Sequence, residues 1–86
     1  MEIKKSTRKK DECRYDYFDK IRKSDYKKDW IYSFVLKTND GTFFSADNCY
    51  LEEDDEYIFI FNTVMSGITT KRNVVRFETW ITKEEL

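Results

Sequence analysis

Residues 30–57 read WIYSFVLKTNDGTFFSADNCYLEEDDEY. Trp30, Tyr32, Phe34 and Leu36 alternate with a second set that includes Ile31 and Val35. That period of two is the pattern of a strand with two distinct faces. Asn39-Asp40-Gly41 follows, a turn signal in which Gly41 is free to take a positive φ. A second strand runs from Thr42 to about Cys49, with Phe44, Ala46 and Tyr50 on one face and Phe43 on the other. The stretch closes on Glu52-Glu53-Asp54-Asp55-Glu56. Together these features predict a small twisted antiparallel sheet with negative charge concentrated at one corner.

Working outward, Glu56 to Val64 reads as a third strand that is apolar on both faces. Tyr57, Phe59 and Phe61 alternate with Ile58, Ile60 and Val64. Such a strand is expected at the centre of a sheet and needs a cover on each side. An N-terminal helix would supply one cover, or the sheet would curl on itself. Ser66-Gly67 marks a turn, Ile68 to Thr70 a short strand segment, and Val74 to Ile81 the last strand. In that last strand Val75, Phe77, Thr79 and Ile81 are expected inward, with Arg76, Glu78 and Trp80 outward.

Upstream, Cys13, Tyr17 and Ile21 recur every four positions between Asp11 and Ser24, with Phe18 beside Tyr17. This is a helical stripe, and Asp11 and Glu12 near its start and Arg22 and Lys23 near its end suit the helix dipole. Cys13, Tyr15 and Tyr17 also alternate, which leaves a strand open there. The expected fold class is α+β: a small, strongly twisted antiparallel sheet or partly open barrel of four to five strands, with an N-terminal helix packed on it. A helix followed by short antiparallel strands resembles SH3-like and Sm-like small barrels in architecture. An Sm-type first motif carries a glycine soon after the turn, where this chain has Phe44-Ser45-Ala46. The resemblance therefore transfers no functional residue.

The 86 residues suffice for one domain, expected over 11–86, with residues 1–10 as a basic, flexible arm. Seven Phe, six Tyr and two Trp make a core feasible at this size. Residues 1–29 carry 11 Lys/Arg against 7 Asp/Glu, and residues 30–86 carry 5 against 10. The two parts have opposite sign and are expected to neutralise each other in part. No apolar run approaches the ~18–20 residues that span a bilayer, and no apolar segment follows the basic start as in a secretory signal. Cys13 and Cys49 are then expected as free thiols in a reducing, cytoplasmic setting, with their pairing left open. Abundant Lys, Asn, Ile, Tyr and Phe with one Ala and no Pro fit the AT-rich codons of a bacterial, plasmid or phage reading frame.

Absence of His removes Ser-His-Asp and Cys-His catalysis and histidine metal ligation. Neither Gly41 nor Gly67 belongs to a phosphate-binding loop, and the contiguous acidic run lacks the alternate ligand spacing of a calcium loop. No enzyme, cofactor or metal is expected. The expected function is a small protein-binding module, of the kind a phage or mobile element uses as an inhibitor (anti-CRISPR or anti-restriction type). It would occupy a basic, nucleic-acid-binding groove of a larger enzyme. Glu52, Glu53, Asp54, Asp55 and Glu56, placed in an exposed loop, would supply charge, and Tyr50, Tyr57 and Trp80 contact area.

Two alternatives stand beside it. In a nucleic-acid-binding barrel, Lys4, Lys5, Arg8, Lys9, Lys10 and Arg14 would neutralise phosphates. The sequence pI near 5.5 argues against this. In a structural homo-oligomer, copies would pair through a sheet edge or the Trp80 face. If the helix leaves the second face bare, Ile31, Phe43 and Trp80 form a surface for a partner or a second copy.

Overall fold

A computed structural model describes residues 3–82. The chain runs β1 (Lys4–Lys5), α1 (Arg14–Arg22), a 3-10 turn (Lys27–Asp29), β2 (Tyr32–Thr38), β3 (Phe43–Glu53), β4 (Tyr57–Phe61), β5 (Ser66–Thr70), a 3-10 turn (Lys71–Asn73) and β6 (Val74–Ile81). The strands form a single six-stranded sheet in the order β5-β4-β3-β2-β6. All of its pairings are antiparallel except that of β1, which lies parallel to β3. The class is α+β, as expected, and the helix reading of 11–24 holds over a shorter span. The sheet does not close into a barrel, because β5 and β6 end it as unjoined edges. The sixth strand comes from Lys4 and Lys5, which pair with Glu52 and Glu53.

Strand β3 organises the sheet. It is eleven residues long, extends four residues beyond the expected end at Cys49, and serves two halves. Its first half pairs with β2, which in turn pairs with β6. Its second half pairs with β4 on one side and β1 on the other. Between the halves the register slips: Tyr32 faces Cys49 but Phe34 faces Ala46. Asn48 absorbs the extra residue at φ 57°, the left-handed region that Asn enters more readily than most residues. The bulge also switches side-chain parity. Ala46 packs against the core on one side of it and Cys49 on the other, while Tyr50 turns to the opposite face.

Two clusters result. Ile3, Phe34, Leu36, Cys49, Leu51, Ile58 and Ile60 fill the inside of the curled sheet, with Phe77 and Val74 packed against them. Tyr17 and Ile21 of α1 pack on Tyr50, Phe59 and Phe61, the opposite face of the second half. Helix α1 thus covers one face of β4 and the curl of the sheet the other. Each fully buried Phe, Leu or Ile contributes ~1.5–3 kcal/mol. Phe18 stacks on Phe61 with ring centroids 4.5 Å apart. In β6 it is Val74, not Val75, that packs inward. A second register slip, between Lys37 and Thr38, leaves Val75 exposed. Cys13 is exposed at the helix start and Cys49 is buried, and both are free thiols. No helix among the described residues is long and apolar enough to cross a membrane.

Candidate interaction surfaces

The acidic run is not an exposed loop. Glu52 and Glu53 are the last residues of β3, and only Asp54, Asp55 and Glu56 form the connection to β4. Glu52 is 4% exposed. Strand parity sends it beneath α1 beside Tyr50, where an isolated carboxylate would be costly. Two phenols meet it. Tyr17 donates to Oε1 at 2.5 Å and Tyr50 donates to Oε2. Thr7 N donates in turn to the Tyr17 oxygen at 3.0 Å. Burial, and then the neighbouring Glu52 carboxylate, push the Tyr50 phenol well above its ordinary pKa.

The other acids meet cations of their own chain. Lys71 Nζ lies 2.7 Å from Glu53, and Lys5 Nζ lies 3.6 Å from the other oxygen of that carboxylate. Arg8 reaches Asp54 with Nε at 2.9 Å and Glu56 with Nη2 at 2.7 Å. Its Nη1 donates to the Glu12 carbonyl at 2.9 Å, and its guanidinium stacks on the Tyr57 ring at 4.8 Å. The Arg8 side chain is left only 6% exposed. The hydrogen bonds it donates to Asp54 and Glu56 hold this guanidinium above its usual range. Burial works to raise the Asp54 pKa, but the Arg8 hydrogen bond and the backbone N–H groups of Glu56 and Tyr57 together lower it.

Of the five acids expected to face a partner, Asp55 and the outer part of Glu56 face water. Tyr50 is buried and Tyr57 half-buried, so neither offers the contact area expected of it. Trp80 is exposed, as expected. Four of the basic residues of the alternative reading also meet groups of their own chain. Lys4 lies over the Tyr50 ring at 5.6 Å, Lys5 and Arg8 pair with acids, and Arg14 stacks between Tyr15 and Tyr57. Lys4, Lys5, Lys9 and Lys10 all stay exposed. The described part of the segment read as a flexible arm thus lies along β3 and the β3–β4 connection. Tyr17 and Thr7 were not legible as partners of Glu52. The matched opposite charges of the two chain segments were the available sign that arm and acidic run meet.

A different surface is bare. Helix α1 covers the outer face of β4 and of the second half of β3 only. Among the described residues, nothing covers the outer face of β2, β6 and the first half of β3. Trp80 stands opposite Ser33, which places it between Ile31, just before β2, and Val35 within it. Val35 stands opposite Ser45, one diagonal step from Phe43. Ile31, Trp80, Val35 and Phe43 thus run obliquely across three strands. Ile31 is 42% exposed, Trp80 41% and Phe43 56%. Val35, Ser45, Asp47 and Trp80 line a shallow depression of about 310 Å³. Beneath the indole, buried Ser33 Oγ donates to Asp47 at 2.7 Å and meets Thr82 Oγ1 at 2.6 Å, which fixes the floor of the surface.

The fold and its surfaces define a small α+β domain with an open sheet, one half of whose outer face is sealed by a helix and the other half bare. No family model, curated protein or solved structure matches this chain.

Proposed function

We propose that the chain is a small, non-enzymatic protein-binding module that meets its partner through the bare outer face of β2, β3 and β6. One observation carries the reading: Ile31, Trp80, Val35 and Phe43 form a continuous apolar diagonal on the half of the sheet that α1 leaves open. Nearly every other large aromatic of the β-strands is packed into one of the two clusters. Trp is enriched at the centres of protein interfaces, and aromatic rings bring large contact area at low entropy cost. Paired Arg76 and Glu78, Lys37 and Asp47 give the diagonal a polar rim.

A narrower form of the reading is an inhibitor of phage or mobile-element type seated in the basic groove of a nucleic-acid enzyme. Its charge would come from Asp55 and Glu56 rather than from all five carboxylates. The experiment is a capture from lysate of the encoding organism with three baits. These are the native chain, Trp80→Ser with Phe43→Ser, and Asp55→Asn with Glu56→Gln. A partner kept by the acid variant and lost by the aromatic variant supports the diagonal. A partner lost only with the acids supports the groove-seated inhibitor, and nuclease-sensitive nucleic acid held equally by all three baits overturns both.

A further inference from the structure

The second edge of the sheet presents a separate feature. Lys71 N donates to Glu56 O at 2.8 Å and Asn62 N to Met65 O at 2.9 Å, which fixes the phase of the β4–β5 ladder. By the alternation of an antiparallel pair, the main-chain groups of Gly67 and Thr69 face β4, and those of Ser66, Ile68 and Thr70 face away from the sheet. Sheets usually guard such an edge with charge, proline or a bulge. The opposite edge, β6, carries the Arg76–Glu78 ion pair, but Ser66-Gly67-Ile68-Thr69-Thr70 has no charge and no proline.

Beside this edge runs a groove between α1 and β5. Its two parts, about 370 and 320 Å³, share Arg14 and Thr70. Phe18 and Ile68 line the apolar part. Arg14, Arg22 and Arg72 supply cations, and Asp19, Asp55 and Glu56 acids. Arg22 is paired with Asp19 and Glu56 with Arg8. Arg14 bonds only phenol oxygens, those of Tyr15 and Tyr57, and Arg72 has no ion pair among the described residues. Arg14 and Arg72 are thus the groove guanidiniums that meet no carboxylate among the described residues.

We propose that β5 accepts an extended segment of a partner protein as an added strand, and that an Asp or Glu side chain of that segment enters the α1–β5 groove against Arg14 and Arg72. Outward N–H and C=O groups would supply affinity, and the groove would select every second side chain of the guest. A guanidinium selects a carboxylate by geometry as well as charge. This site lies at the other edge of the sheet from Trp80, so it stands or falls apart from the diagonal.

Thr70 offers a clean test, because its backbone already sits at φ −80°, ψ 122°, which proline accepts, and its N–H faces outward. Random displayed dodecapeptides would be selected on the full chain, and a winning peptide titrated against it by NMR. The expected winners carry Asp or Glu among β-branched residues and slow amide exchange at Ser66, Ile68 and Thr70. Thr70→Pro, and Arg14→Ala with Arg72→Ala, should each weaken binding about tenfold or more, as loss of strand or charge-assisted bonds does. Trp80→Ser, at the far edge of the sheet, should leave it unchanged. Should Thr70→Pro melt early, the arginine pair decides. The proposal is overturned if no peptide is selected, if winners lack acids, or if Thr70→Pro binds normally. Shifts mapping to β6, or protection of the β5 amides by self-association without peptide, overturn it equally.

Discussion

Arg8 Nε lies 2.9 Å from Asp54 Oδ2, a contact that spans 46 residues and closes the N-terminal segment onto the β3–β4 connection. The same guanidinium reaches Glu56, the Glu12 carbonyl and the face of Tyr57. One cation thereby joins the segment before α1 to the acidic run. Two chain segments of opposite charge thus cancel in part where they meet.

Replacing Arg8 by Met should destabilise the domain by about 2–4 kcal/mol. Removing one member of a fully buried pair costs ~3–5 kcal/mol, and Glu56 here keeps access to water. Arg8→Lys should recover only part of the loss, because an ammonium cannot span both acids and the Tyr57 face. Urea denaturation of the three proteins measures both differences.

Glu52 takes its stability from two phenols. Tyr17→Phe should cost about 1–3 kcal/mol by leaving one carboxylate oxygen without its donor. Glu52→Gln should lose less when Tyr17 is already Phe, since the two side chains share one contact. A double-mutant cycle by chemical denaturation should therefore give a nonzero coupling, and strict additivity would refute the network.

Stability should fall in acid. Asp40 is held to about 2 by hydrogen bonds from the Thr38 hydroxyl and the Thr42 backbone N–H. Asp54 is also lowered. A carboxylate whose folded pKa lies below its unfolded value stabilises the fold above the unfolded value, ~3.9 for Asp. That contribution disappears as pH falls through the folded value. Thermal melts between pH 5 and 2 should show the decline, and Asp54→Asn should make it shallower.

The β3 bulge rests on one backbone conformation. Asn48→Ala should cost about 1–2 kcal/mol, the penalty of the left-handed region for a residue with an ordinary Cβ. Asn48→Gly should be near neutral, its steric relief offset by added unfolded-chain entropy. Melting temperatures of the two variants check this ordering.

The diagonal and the core differ in what they bear. Trp80→Ser should change stability by about 1 kcal/mol or less, because its indole is exposed, whereas Phe59→Ala should cost ~3–5 kcal/mol as a cavity beneath α1. Calorimetry of the two variants separates a contact residue from a packing residue.

By itself the sequence pointed to the α+β class, the turn at Gly41 and a β4 apolar on both faces, and it favoured a helix around Tyr17 and Ile21 while leaving a strand open there. Each rests on local periodicity or turn chemistry, which a single segment carries without its neighbours. The outward position of Trp80 also followed from alternation along β6. Only the tertiary structure decided the open sheet, the strand at Lys4–Lys5, the burial of Glu52 and Tyr50, and the pairing of Arg8 with Asp54. The reason is the bulge at Asn48. One extra residue reverses every side chain after it, so residues 50–53 face opposite to what unbroken alternation predicts. That reversal delivers Glu52 to the Tyr17 hydroxyl. The N-terminal segment then settles along β3 because its cations find carboxylates there, and those contacts span 46 and 48 residues. No local pattern encodes such distances. The same economy of one helix for two half-sheets leaves Ile31, Trp80, Val35 and Phe43 bare.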